Sequence, residues 1–211
     1  MPRTFTDRFE QRKATRAKLV DAALKLFATS GYEHATVDDI SQEAGYSKGA
    51  YYFHFSTKDD ILLELLRMWT ADRTNALAAA VDDGEPEATA RGMLEGLFSY
   101  DDAPRWPAVL LEFWSQALRH PEVSKRLSQA YAGWRKQLAE AFAAGVAAGA
   151  FYVEAPDDAA SIALAAHDGH AVQVAIGSSG ARAMSAAELA DSLLTPLKIA
   201  EPPARRAATA I

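Results

Sequence analysis

Leu19, Ala22, Ala23, Leu26 and Phe27 stand at i, i+3, i+4, i+7 and i+8, a spacing that gathers them on one face of a helix. Gly31 follows, where a left-handed residue closes such a helix. Thr36 with Asp39 three residues on has the form of a capping box, and Val37, Ile40 and Ala44 then make an apolar stripe of barely two turns that stops at Gly45. Ser47 can cap a third helix, and residues 45–47 have the length and the glycine of the turn in a helix-turn-helix. Thr57 and Asp60 repeat the capping pattern, after which Ile61, Leu62, Leu65, Met68 and Trp69 predict a long fourth helix running to about Val81.

The rest of the chain keeps the helical period. A segment at residues 86–100 and a proline-punctuated stretch at 101–107 precede an aromatic helix over about 108–118. Pro121 resets the chain into a long helix at 122–148, and a turn at 149–156 leads to a helix at 157 to about 176. A last helix opens on the Ser185/Glu188 capping box. No stretch reads as a strand, and no fixed-period repeat is present, so the fold class is all-α. The expected organisation is a basic flexible arm at 1–15, a three-helix head at 16–60, a helical body at 61–200 reached through the fourth helix, and a flexible tail at 201–211.

Charge changes this picture by its distribution. The 211-residue chain carries −6 overall, yet residues 1–58 hold nine Lys and Arg against seven Asp and Glu, and the remainder holds thirteen against twenty-one. Within residues 1–20 the balance is six against two. A basic tip on an acidic body suits a protein that meets phosphate with one end. Arg3 to Lys18 reads equally as a frayed, solvated end or as a tail reaching phosphate or a minor groove.

Residues 36–58, TVDDISQEAGYSKGAYYFHFSTK, resemble the DNA-binding signature of the tetracycline-repressor (TetR) family. The resemblance runs from LVDAALKLFATSGYEHAT through KDDILLELL, so residues 16–66 keep the family's order and spacing. It implies that Thr36, Tyr52, His54 and Lys58 contact the phosphate backbone, while Ser47, Lys48, Gly49 and Tyr51 lie on the segment facing a major groove, which is ~12 Å wide; Tyr51, at a place the family often fills with an aliphatic residue, reads also as partly core. Phe53 departs from the pattern, because the family often has a Tyr or Trp there that can donate to phosphate. Phe53 and Phe55 are assigned to packing. LEFWSQALRHPEV, YAGWRKQL and DGHAVQ give the body a looser similarity to the betaine-regulator-like branch of the family.

That similarity implies a ligand-binding and dimerisation body, with a pocket enclosed by the middle helices. Candidate lining residues are Phe98, Trp106, Leu110, Phe113, Trp114 and Trp134, with His167 and His170 as polar anchors. Aromatic stripes of this kind also serve as plain core. His167 and His170 at i, i+3 lack a clear third ligand for a metal, so none is expected. Small residues recur at Ala144, Gly145, Ala148, Gly149, Ala159, Ala163, Ala166 and Gly169. They permit close helix packing within the chain or between subunits, and the resemblance implies a homodimer formed as a four-helix bundle.

Several classes are excluded or disfavoured. The chain has no cysteine, which removes disulfides, thiolate metal sites and cysteine nucleophiles. Residues 45–49 satisfy G-x-S-x-G, the nucleophile elbow of serine hydrolases, but a helix-period stretch precedes the serine where a strand is needed. No Walker loop, dinucleotide fingerprint or HExxH pair occurs, and no enzyme activity or cofactor is expected. The N-terminus lacks the apolar core of a signal peptide and the longest charge-free apolar run, 141–153, cannot span a bilayer, so a cytoplasmic protein without membrane partners is expected. The leading reading is a repressor that leaves palindromic double-stranded operator DNA when a small-molecule effector binds. Two alternatives stay open: a helical enzyme or carrier that retains the head, and a non-sensing DNA-architectural protein.

Overall fold

The computed structural model describes residues 5–82, 84–99, 105–177 and 184–198, with side chains from residue 9 onward. Among them nine α-helices and one 3-10 turn follow in order: α1 (Phe5–Ser30), α2 (Val37–Glu43), α3 (Lys48–His54), α4 (Lys58–Ala79), α5 (Pro86–Phe98), α6 (Arg105–Ala117), α7 (Pro121–Ala147), α8 (Pro156–Ala175), α9 (Ala186–Leu194) and the turn Thr195–Leu197. No strand occurs among the described residues, in agreement with the all-α reading. The tail at 201–211 lies outside them. No helix among them is long and apolar enough to cross a membrane.

The helix boundaries follow local chemistry. Thr57 Oγ1 accepts from Asp60 N at 3.1 Å, Ser185 Oγ accepts from Glu188 N at 3.2 Å, and α5, α7 and α8 each begin on a proline, whose missing N–H costs nothing in a first turn. Gly31 has φ +80°, the left-handed conformation expected of it. One boundary differs from expectation. α1 is helical from Phe5, through residues read as a flexible arm, because nothing between Phe5 and Leu19 breaks a helix.

The chain divides into two compact units. The first comprises, of the described residues, 5–72, 105–129 and 170–177. In it α1 packs against α2 and α6, and α2 against α3. Leu19, Ala23, Ile40, Tyr51, Ile61, Leu65, Leu110 and Phe113 are fully buried there. The Trp69 ring lies 6.0 Å from that of Phe113. Glu64, nearly buried, accepts from Arg16 at 2.6 Å and from Arg67 at 2.8 and 2.9 Å. Those bonds, Arg67 first and then Arg16, hold its carboxyl down to about 2 from an ordinary 4.5.

The second unit comprises, of the described residues, 73–82, 84–99, 130–169 and 184–198. Here α5 packs on α9. The α5 helix also meets the end of α4 closely, since a Cβ on Gly92 or Gly96 would come 3.1 Å from the methyls of Ala80 and Ala76. Buried Arg73 donates to the carbonyls of Gly96 (3.1 Å), Leu97 (3.2 Å) and Ser99, so a full charge sits on the C-terminal carbonyls of α5. Gly145 on α7 has a similar packing reason. The buried Phe151 ring occupies the place where a Cβ would be, at 2.1 Å.

Two stability outcomes follow. Gly145→Ala should destabilise the protein by about 1–3 kcal/mol in urea unfolding, because a methyl there overlaps a packed ring; an unchanged midpoint would disprove that packing. Glu64 has a depressed pKa, so its contribution is present above its unfolded value near 4.5 and is lost as pH falls towards about 2. Glu64→Gln should therefore cost about 1–2 kcal/mol at neutral pH, allowing for the exposed arginine partners, and the gap to the native protein should shrink through that acid window.

Candidate nucleic-acid interface

Residues 36–54 of the first unit form two seven-residue helices joined by a tight turn. Thr36 caps α2 reciprocally with Asp39: Asp39 N donates to Thr36 Oγ1 at 3.1 Å, and Thr36 N donates to Asp39 Oδ2 at 2.9 Å. Gly45, at φ +74°, reverses the chain, and Tyr46 N donates to Ser41 O at 2.8 Å. Ser47 then caps α3, accepting from Ala50 N at 3.3 Å. The G-x-S-x-G serine is thus a helix cap that follows a helix.

α3 has two unlike sides. Tyr51 and Phe55, four residues apart, are buried, whereas Ser47, Lys48, Gly49, Tyr52 and Phe53 are exposed and His54 is half-buried. A Cβ on Gly49 would meet nothing nearer than Ser47 Oγ at 3.7 Å, so the outer backbone of α3 is open to close approach. Lys48 pairs with the exposed Asp38 at 3.0 Å; its bond to that carboxylate raises its pKa, and it stays cationic. Burial first, and then the nearby Arg12 and Arg16 guanidiniums, lower the His54 pKa.

Three placements decide or correct expectation. Of the two readings of Tyr51 the core one holds: its ring is wholly buried, its hydroxyl donates to Thr57 O at 2.9 Å, and burial raises its pKa. The residue that shares its helix face with Phe55 must be core in so short a helix. Phe53, expected to pack, is 64% exposed for the same geometric reason. Lys58 is not a free cation at a helix start, because its ammonium donates to the carbonyls of Tyr32 (2.8 Å), Ala35 (3.0 Å) and Glu33 (3.4 Å) and lies 4.2 Å from the Tyr32 ring centre. Those carbonyls follow the C-terminus of α1, so Lys58 finds there the negative charge that phosphate was expected to supply.

The basic residues of α1 join this surface, which spacing within the head alone could not reveal. Arg12 lies 4.8 Å from the Phe53 ring centre and Arg16 4.9 Å from that of Phe55. Gln11, Arg12, Thr15, Tyr46, Phe53 and His54 line a concavity of about 440 Å³. The sequence signal was the excess of positive charge in residues 1–20, but it became legible only once α1 proved helical to Phe5 and stood beside α3.

The eight residues named for a ligand fall into both units. Trp106, Leu110, Phe113, Trp114 and His170 belong to the first, and Phe98, Trp134 and His167 to the second. Trp106 lines a cleft of about 440 Å³ with Val20, Leu24, Leu65 and Met68. In the second unit, buried His167 faces Asp168 at 3.0 Å and lies 5.8 Å from the Phe98 ring centre. Asp168 also accepts from the Tyr131 hydroxyl at 2.6 Å. The Tyr131 and Trp134 rings are 5.3 Å apart, and Trp134 Nε1 donates to Thr74 at 2.9 Å. Among the described residues no group of three His, Asp or Glu is arranged to hold a metal.

Comparison with known proteins gives two successive family matches. Residues 19–65 match the family described as bacterial regulatory proteins, tetR family, and residues 86–197 match the BetI-type transcriptional repressor, C-terminal family. The HTH-type transcriptional repressor Rv1474c of Mycobacterium tuberculosis (strain H37Rv) is 31% identical over 144 residues, which is 68% of this chain and 67% of that protein. An uncharacterized HTH-type transcriptional regulator of Bacillus subtilis (strain 168), YwcC, is 50% identical over 56 residues, 26% of this chain and 25% of the relative. The matches thus span from a quarter to two thirds of these curated relatives. A putative transcriptional regulator of Saccharomonospora viridis, solved in complex with choline, superposes with a TM-score of 0.69 at 26% identity, over 84% of this chain and 92% of that one.

The inward positions of Lys58 and Tyr51 have a measurable consequence. Lys58→Met should cost about 1–3 kcal/mol and Tyr51→Phe about 1 kcal/mol in chemical denaturation, since each leaves carbonyl acceptors without their donor. If Lys58→Met unfolds at the native midpoint, the lysine is not the clamp described here.

Proposed function

Because the chain belongs to the TetR family of bacterial regulatory proteins, with a BetI-type repressor C-terminal region, we propose that it is a DNA-binding transcriptional repressor, acting in the cytoplasm as a homodimer on a palindromic operator and released by a small-molecule effector. The observation that carries the DNA-binding reading is the exposed side of α3, with Lys48, Gly49 and Tyr52 uncovered and Arg12 of α1 beside Phe53. In this reading α3 enters the major groove. Lys48 and the backbone at Gly49 meet base edges, while Thr36, Tyr52, His54 and Arg12 fix the register on phosphate.

A second copy of the chain is the proposed partner of α8. Asp158, Ile162, Ala165 and Gly169 of the second unit are all exposed at spacings of three and four, forming one stripe in which Ile162 is 64% exposed. A large apolar side chain left in water, with Ala165 and Gly169 following it at helical spacing, suits close packing of two helices. Gly145 is not available for that purpose, since Phe151 fills the space over it.

The effector is proposed to act at the second unit's cluster of Phe98, Tyr131, Trp134, His167 and Asp168. A carboxylate among aromatic rings suits a ligand with a cationic head and apolar contacts, and choline, held by the Saccharomonospora viridis protein, is the first probe. Release requires that the effector bind unequally to the DNA-fitting and non-fitting states, with typical couplings of about 1–3 kcal/mol.

Fluorescence anisotropy on operator DNA from beside the gene tests this reading. Arg12→Ala should weaken binding of all sequences alike and lower the salt slope by about one, whereas Lys48→Ala should also change which operators are preferred. Ile162→Glu should give monomers in light scattering and weak operator binding. Sequence-indifferent binding by the native protein would favour the architectural alternative, and catalytic turnover the enzymatic one.

A further inference from the structure

A second cleft in the first unit, about 550 Å³ in volume, lies between the α1–α2 connection and the C-terminal half of α6, lined among others by Glu33, His34, Glu112, Gln116 and Arg119. Gln116 is wholly buried, and its Nε2 donates to Glu33 Oε1 at 3.2 Å. Its carbonyl oxygen has no hydrogen-bond partner among the described residues. The amide cannot cure this by turning end for end, because Oε1 would then face the Glu33 carboxylate, acceptor against acceptor. Glu112 stands on the same cleft, over the positive-φ Gly31, where an added Cβ would come 3.2 Å from its Oε1. Arg119, also on the cleft, donates to Ser115 O and Oγ at 3.2 and 2.9 Å and so keeps its positive charge unneutralised by these contacts.

We propose that this cleft binds a small molecule through a primary ammonium group, whose N–H donors meet Gln116 Oε1 and whose charge is matched by Glu33 and Glu112. An acceptor short of a donor beside two carboxylates calls for a cation with hydrogens on nitrogen. A quaternary ammonium carries none and cannot satisfy Gln116, so this ligand differs in chemistry from the effector proposed above. The terminal torsion of a glutamine is soft, which lets Oε1 swing towards an arriving donor. The ammonium could come from a diamine or from an amino acid. Arg119 would meet the carboxylate of an amino acid and repel the second ammonium of a diamine.

Isothermal titration of the full-length protein, without DNA, with 4-aminobutanoate and with 1,4-diaminobutane tests the site. Binding of at least one is expected, and tighter binding of 4-aminobutanoate would assign the Arg119 side of the cleft to a carboxylate. Affinity should fall at least about tenfold in Glu112→Gln and in Gln116→Met. Circular dichroism checks that each variant is folded; should Gln116→Met unfold, the half-buried Glu112 decides. Operator affinity of Glu112→Gln without amine should equal the native value, so failure of this site and failure of the repressor reading are told apart. Absence of binding by both probes at millimolar concentration, or binding unchanged in the folded variants, would overturn the proposal.

Discussion

Two turns of helix are too few to hold themselves together in water, and α2 and α3 have seven residues each. Whatever the first unit presents to a duplex therefore depends on holding that pair from outside. Ile40 and Tyr51 do so from within, wholly buried, one from each helix. The caps at Thr36 and Ser47 satisfy amides that such short helices leave free in proportion to their length. Lys58 completes the frame by drawing three carbonyls of residues 32–35 onto one ammonium, while the Tyr32 hydroxyl donates to Asp59. The turn that leads into α2 is thereby tied to the first turn of α4.

The same unit separates its cations by the partners it gives them. Arg16 and Arg67 share Glu64, and Lys25 pairs with Glu43, so those charges are matched by carboxylates. Arg12, Lys13 and Lys18 lie instead within 4.8–5.8 Å of aromatic ring centres, those of Phe53, Phe9 and Tyr46. A ring orients a cation without cancelling its charge. These side chains are thus held in place with their charge uncancelled by the rings, so a chain of net charge −6 keeps positive charge along α1, where the proposed contact with phosphate would use it.

In the second unit, polar groups are buried with partners rather than excluded. Arg73 closes the C-terminal carbonyls of α5, and Asp168 takes both the Tyr131 hydroxyl and the neighbouring His167. Arranged pairs of this kind fix side-chain orientation in a way that an all-apolar core does not, and an unpaired member would carry the full cost of its desolvation. That constraint suits a region proposed to discriminate between small molecules.

The order of helices, their caps at Thr36, Ser47, Thr57 and Ser185, the glycines at 31 and 45 that stop them, and the helix-turn-helix signature are all legible in the residues alone, because each rests on short-range spacing along the chain. Exposed Lys48, Gly49 and Tyr52 were legible for that reason. Only packing shows that Tyr51 is wholly core, that Phe53 turns outward, that Lys58 serves carbonyls of the α1–α2 connection and that Arg12 stands beside α3. Those outcomes turn on which face of a short helix meets its neighbours and on partners roughly 20 to 40 residues away, and local periodicity carries no information about either. Gly145 shows the same division. Its smallness was plain in the sequence, but only the Phe151 ring lying over it says what the missing side chain is for.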